Sequence, residues 1–541
     1  MNDVQIVTVM TAANTPTALG DKAANGFLNG VGIAKIIGEG APKLAVRRII
    51  PQMLFTLRLL LVSLLAALLG CTAQAQGLPP EIDAALARAK VPRDAVSVLL
   101  LDAQGQSAPR ISHRVDVPMN PASVMKLVTT FAALDLLGPA YTWSTPVYID
   151  GTMRDGTLHG NLIIQGQGDP KLVLERLWLL LRRVQGLGIQ TISGDIVLDR
   201  SAFDIPPLDP ASFDGEPLRP YNAAPDALLI NFKSVVMTLA PEPGNTVARV
   251  QYDPPLAGVQ MQATVPLLAG DCGDYRAQLK ADFSDPNRIR FAGGYPASCG
   301  EKVWAVAYAD PGSYAARAVQ GLWQSMGGKL QGSVRLGVIP KAVGGAAPKP
   351  SFELRSAPLA EIIRDINKFS NNVMAQQVYL TLGRALPTAT TASTSGAITT
   401  PALPGNYAAS QTVVLHWWKD RISPTDLPIM DNGSGLSRSE RISAQALGRL
   451  LQTAYASPTM PELMASLPIT GVDGTLRRVK TQAAGSAHLK TGSLTDVVAV
   501  AGYVHGTGGR RWILVALVNH ANARAARPAI DALVEWAAKL R

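Results

Sequence analysis

Between Trp143 and Gly337 the chain reads as short alternating strands punctuated by Gly, Pro and Asp, whereas the segments on either side read as long helices and continuous apolar strands. A chain with that texture must leave one core, build a second and return to the first. Its 541 residues are enough for this, since a single core stops growing near ~250 to 300 residues. One basic helix, near Leu172 to Leu187, interrupts the strands. Residues 342–350 are a Gly, Ala, Pro and Lys linker by composition, and helical patterns resume from Pro358 to Arg384. The expected map is one domain from 78–142 and 351–541, interrupted by a β-rich insert at 143–341. Residues 386–406, rich in Thr, Ala, Ser, Gly and Pro without periodicity, are expected to be a flexible surface loop.

The flanking segments predict shared elements. Glu81 to Lys90 has a helical pattern, and Ala95 to Asp102 is a buried strand ending in a Gln-Gly turn. Pro121 stands ahead of a helical run from Ala122 to Leu137, stopped by Gly138-Pro139, which places Ser123 and Lys126 in the first turn. Val497 to His505 and Trp512 to Asn519 form a hairpin around Gly506-Thr507-Gly508-Gly509, and a helix runs to Leu540.

Composition narrows the function classes. With 47% hydrophobic and 17% charged residues the chain is globular, and its one long apolar stretch is 54–75. That stretch follows Arg47 and Arg48, contains Arg58, and ends in Ala73-Gln74-Ala75, the form of a secretory signal. Its apolar core is shorter than the ~18 to 20 residues that span a bilayer. Met53 then reads as the natural start, 1–75 as leader, and the mature protein as periplasmic. Leu68-Leu69-Gly70-Cys71 resembles a lipobox, so anchoring through Cys71 is the alternative. The net charge of +10 would suit residence near an anionic polymer, but scattered solubilising charge is the favoured reading. No Lys/Arg block is interleaved with aromatics, so no nucleic-acid partner is expected. Cys272 and Cys299 remain after the leader and pair as a candidate disulfide in an oxidising compartment, contributing about 3 to 4 kcal/mol. Neither Cys/His zinc spacing nor His-Glu-x-x-His occurs, so no metal and no cofactor are expected.

Ser123-Val124-Met125-Lys126 sets a hydroxyl and an amine three apart, on one face of a helix. A lysine can activate that serine only if burial or a second cation depresses its pKa from ~10.4. One Ser-x-x-Lys is expected by chance in a chain this long, so order carries the signal. Ser370-Asn371-Asn372 follows on the returning helical segment, and Lys490-Thr491-Gly492-Ser493 later on a predicted strand.

With these three motifs the chain resembles the serine DD-peptidase and β-lactamase superfamily, specifically the D-alanyl-D-alanine carboxypeptidases and endopeptidases called class C low-molecular-mass penicillin-binding proteins. The resemblance runs from Leu78 to Arg541. It includes Gly166-Gln167-Gly168-Asp169-Pro170, Tyr221 to Asn231-Phe232, Asn432-Gly433-Ser434-Gly435-Leu436-Ser437-Arg438 and Val472-Asp473-Gly474-Thr475-Leu476. It implies an α/β (α+β) fold, an antiparallel sheet flanked by helices and an α cluster, with a large β-rich insert. It also implies that Ser123 attacks the penultimate D-alanine carbonyl, that Lys126 takes its proton, and that Ser370 relays a proton to the leaving amine. Asn372 would hold the substrate amide and Lys126. Lys490 and Thr491 would bind the terminal carboxylate, with Lys490 also keeping Lys126 neutral. Gly492 would let the strand approach the substrate, and the backbone N–H groups of Ser123 and Ser493 would form the oxyanion hole. The implied partners are peptidoglycan peptides ending in D-Ala-D-Ala and β-lactams as acylating inhibitors. Asn371 departs from the family's commoner Asp and puts a supporting hydrogen bond in question. His488 shares the face of Lys490 and reads as an ordinary strand residue, and Asp169 reads as a turn former.

Two rival readings share part of this pattern. A β-lactamase has the same nucleophile and lysines but needs a deacylating base and lacks such an insert. A non-catalytic wall-binding scaffold would keep the fold and use the insert and basic charge instead.

Overall fold

The computed structural model describes residues 77–340, 348–385 and 403–541. The expected leader with Cys71, and 386–402 of the expected loop, lie outside the described residues. Among the described residues no helix is long and apolar enough to cross a membrane.

A five-stranded antiparallel sheet anchors the structure, in the spatial order Ala487–Ser493, Val497–His505, Arg511–Asn519, Val96–Asp102, Ile111–His113. The first and last pieces of the chain thus lie side by side. Val96–Asp102 is buried at every residue because both faces of the sheet are covered. Leu99, Leu101, Ala499, Ala501, Ile513 and Val515 enter one core. The alternating Val98, Leu100, Val498, Val500, Leu514 and Ala516 enter another, under the helices Pro80–Arg88 and Arg527–Ala538. Side chains of a strand alternate between faces, so two covered faces produce an unbroken apolar run. Each such Val, Leu or Ile side chain contributes about 1.5 to 3 kcal/mol on burial, and this sheet is therefore a firm base for its edge strand, Ala487–Ser493.

The helical cluster surrounds Lys126–Leu137, buried at every residue from Lys126 to Leu134. A helix that is apolar all round must be enclosed, and the helices Leu359–Phe369, Asn372–Ala385, Tyr407–Arg421 and Met460–Ser466 enclose it. The single helical stretch predicted from Pro358 to Arg384 is two helices, broken where Ser370 adopts φ 56°, ψ 38°. Asn406 caps Tyr407–Arg421 by accepting the Ala409 N–H at 2.8 Å.

The insert has its own core. In a seven-stranded mixed sheet, Ser144–Arg154 runs antiparallel to Thr157–Gln165, which continues in parallel with Thr191–Ile192 and Ile196–Asp199. Phe352–Arg355 returns antiparallel on Ser144–Arg154, so the chain leaves the insert's sheet later than residue 351. A five-stranded sheet built on Ser234–Pro241, Val247–Asp253 and Lys302–Ala307 shares that core, and so does a helix absent from the sequence reading, Tyr314–Ser325, with Trp323 fully buried. Cys272 and Cys299 are joined as a disulfide within the insert.

Candidate active site

The turn that presents Ser123 is tight. Ala122 takes φ 46°, a left-handed conformation costing a non-glycine residue of order 1 to 3 kcal/mol. The 3-10 turn Ala122–Met125 then feeds directly into Lys126–Leu137. Two glycines make room for it. A Cβ on Gly435 would lie 2.0 Å from the Ala122 carbonyl, and one on Gly492 would lie 2.4 Å from the Pro121 carbonyl and 3.2 Å from Ser123 N. Gly492 is thus required by the Ser123 turn itself, as well as by the approach to substrate implied by the resemblance. It also brings the edge strand at Gly492 beside the Ser123 backbone.

Lys126 Nζ lies 2.9 Å from Ser123 Oγ and 2.6 Å from Asn372 Oδ1, and also donates to the Ser434 carbonyl. The amine is fully buried. Burial foremost, and then the charge of Lys490, hold its pKa well below the usual lysine value, with Glu440 acting in the opposite direction. A neutral amine donates two hydrogen bonds and keeps a lone pair, so with Asn372 and Ser434 as acceptors the lone pair is left for the serine hydroxyl. Asn372 is fixed from the insert, its Nδ2 donating to the Tyr221 carbonyl at 3.1 Å.

On the facing wall Lys490, also fully buried, donates from Nζ to Ser370 Oγ at 2.9 Å and to the Thr491 carbonyl at 2.8 Å. Burial lowers its pKa to about 7. The left-handed Ser370 ends one helix, and Asn371 starts the next by accepting the Met374 N–H on Oδ1 at 3.1 Å. An amide oxygen does this as an aspartate would, so the departure at Asn371 leaves the local cap intact. Thr491 Oγ1 lies 2.8 Å from Thr475 Oγ1. The loop carrying Thr475 is pinned by Lys368, buried, whose Nζ meets Asp473 Oδ2 at 2.6 Å.

The structure therefore gathers Ser123, Lys126, Ser370, Asn372, Lys490, Thr491 and Gly492 into one cluster, from three separated segments. His488 is not of this group: its ring lies against that of His505, centroids 5.4 Å apart and tilted by 45°, and Nδ1 lies 3.3 Å from the Met464 carbonyl. Asp169 is buried and accepts the Lys171 N–H in its own turn at 2.8 Å.

Three contributors were not singled out from the sequence: the Ser434 carbonyl, the Tyr221 carbonyl and Glu440. Backbone carbonyls leave no residue-type signal. Glu440 stands between Ser439 and Arg441, in no motif that marks it. It is fully buried, because the bridges Ile429 with Arg441 and Met119 with Ile442 make this segment extended and turn alternate residues inward. Beside Ser370, Asn371 and Asn372 a cleft of about 360 Å³ is walled by Tyr221, Phe232 and Val236 of the insert. Phe232 is held there within three consecutive left-handed residues, Asn231, Phe232 and Lys233, and Lys233 is tied to Asp226 at 2.9 Å.

A family model described as the D-Ala-D-Ala carboxypeptidase 3 (S13) family matches residues 78–540. A D-alanyl-D-alanine carboxypeptidase of Actinomadura sp. is 28% identical, over 76% of this chain and 75% of its own length. The D-alanyl-D-alanine carboxypeptidase DacB of Haemophilus influenzae is 25% identical, over 74% of this chain and 80% of its own. The crystal structure of penicillin binding protein 4 from Haemophilus influenzae is similar in fold, with a TM-score of 0.61 at 22% identity, covering 84% of this chain and 99% of that one.

Proposed function

The chain belongs to the D-Ala-D-Ala carboxypeptidase 3 (S13) family, and on that premise we propose that it hydrolyses peptidoglycan stem peptides ending in D-Ala-D-Ala through an acyl-enzyme on Ser123. The observation that carries this reading is the pair of fully buried lysines, each within 2.9 Å of a serine hydroxyl.

In the proposed sequence Lys126, neutral at working pH, accepts the Ser123 proton as Oγ bonds to the penultimate D-alanine carbonyl carbon. The oxyanion forms toward the N–H groups of Ser123 and Ser493, where preorganised donors are commonly worth several kcal/mol. As the C–N bond breaks, the proton taken by Lys126 is handed to Ser370, whose own hydroxyl proton passes to the departing amine, so that both lysines return to their starting states. Asn372 holds the acyl-side amide, and Thr491 and Lys490 receive the terminal carboxylate. Water then attacks the acyl carbonyl, its proton passing to Lys126 and on to Ser123 Oγ as the acyl group leaves. The leader and the disulfide fit export to the periplasm. The cleft of about 360 Å³ beside Ser370 offers room for more peptide around the scissile bond, which favours cross-linked stems as a second substrate.

Intact-protein mass after brief exposure to penicillin, for the chain from Gln76 onward and its Ser123→Ala variant, tests the assignment. A stable adduct on the parent alone is expected. An adduct on both, or on neither, overturns Ser123 as nucleophile, while rapid turnover of the penicillin would point to a β-lactamase.

A further inference from the structure

Glu440 has a cost that its packing does not explain. Its carboxyl is fully buried. Oε1 accepts the backbone N–H of Asp431 at 3.1 Å and of Gly433 at 3.0 Å, while Oε2 is buried with no partner among the described residues. An unpartnered buried carboxylate oxygen is destabilising, and an apolar side chain of similar volume fills space without that penalty. The Tyr379 hydroxyl is likewise buried and unpartnered, and its pKa is raised by burial and then by the charge of Glu440. Two orphaned polar groups behind a reacting amine mark a place where function outweighs stability.

The connection to the amine is short. The loop that Glu440 clamps supplies two carbonyls to the nucleophile helix: Gly433, which accepts Thr129 Oγ1 at 2.6 Å, and Ser434, which accepts Lys126 Nζ. Gly433 is itself pressed on the Tyr379 ring, where a Cβ would lie 2.7 Å from ring carbons. The loop cannot move away from Glu440 without carrying the Ser434 carbonyl off Lys126.

We propose that Glu440 is a positioning residue for the acylation step: it clamps the Asp431–Ser437 loop so that the Ser434 carbonyl aims the Lys126 amine at Ser123, and its charge opposes that of Lys490 across that amine. The two buried lysines and one buried acid together set how readily Lys126 takes and returns a proton. The groups facing Glu440 are Lys126 on the nucleophile helix, Tyr379 on the helix Asn372–Ala385, and Asp431 on the clamped loop. Burial raises the Glu440 carboxyl to about 7, and its charge and that of Lys126 act on each other.

This inference rests on Lys126 acting as the base for Ser123, and its test separates the two. Acylation by penicillin is followed against pH for the parent, Ser123→Ala, Glu440→Gln and Glu440→Ala. Glu440→Gln keeps an acceptor for the two N–H groups and removes the charge. Its acid limb is expected at lower pH than the parent's, because a cation loses its opposite charge, with the plateau rate largely kept. Glu440→Ala is expected to lose about ten- to a hundred-fold in acylation rate, the effect of misaiming a reacting group. A Gln variant whose profile superimposes on the parent's, together with an Ala variant acylated at the parental rate, overturns the proposal while leaving Ser123 in place. Failure of the parent to acylate, or acylation of Ser123→Ala, sinks the underlying reading and this inference with it.

Discussion

Lys490 Nζ donates to Ser370 Oγ at 2.9 Å, joining the edge strand of the sheet to the left-handed turn between two helices of the cluster. This single bond spans the cleft. It sets a cation where a substrate carboxylate and a leaving amine would both lie, and its charge lowers the proton affinity of Lys126 behind the nucleophile.

Replacing Lys490 by Met removes that charge. Lys126 then holds its proton more tightly, so the acid limb of the acylation profile moves to higher pH. The plateau rate falls by roughly 10²- to 10³-fold, the scale for losing one electrostatic stabiliser. A pH profile of penicillin acylation checks this; an unmoved acid limb would show that the two lysines are uncoupled.

The same substitution alters stability in a direction that pH controls. Lys490 has a folded pKa of about 7, against ~10.4 for a free lysine. Between those values the unfolded chain binds more protons, so this group makes stability rise with pH across the window. Lys490→Met should be more stable than the parent at pH 7, and the gap should close towards pH 10. Urea midpoints at several pH values read it, and a gap that is constant with pH contradicts the buried-charge explanation.

Ser370 sits at φ 56°, where a Cβ is strained and glycine is not. Ser370→Gly and Ser370→Ala both lose the hydroxyl and should both be slow in acylation. The glycine variant should nevertheless be more stable than the alanine variant by about 1 kcal/mol. Equal thermal midpoints for the two would mean that the turn relaxes out of the left-handed region.

The Cys272–Cys299 disulfide closes a loop inside the insert, away from the cleft. Replacing both cysteines by serine should lower stability by about 3 to 4 kcal/mol and leave the acylation rate near the parent's. Denaturant unfolding and mass spectrometry on one sample make the comparison. A comparable loss of acylation under native conditions would tie the insert's core to the active cleft.

Local chemistry made much of this protein legible from its sequence. Alternation and apolar runs mark the strands Val96–Asp102 and Val497–His505, because each residue's burial is set by its place in a two-sided sheet. Pro121 and Gly138 bracket the nucleophile helix through backbone preferences that need no partner. The order of the three motifs identified the fold class and the family. What depended on distant segments was decided only by the tertiary structure. The break at Ser370 occurs inside a helical pattern because a left-handed turn is stabilised by Lys490, 120 residues on. Tyr221 and Ser434 act through backbone carbonyls, which every residue type possesses. Glu440 is buried because an extended segment turns it inward, and its effect on Lys126 arises from proximity in a dry interior, where charge acts over distances that sequence spacing does not record.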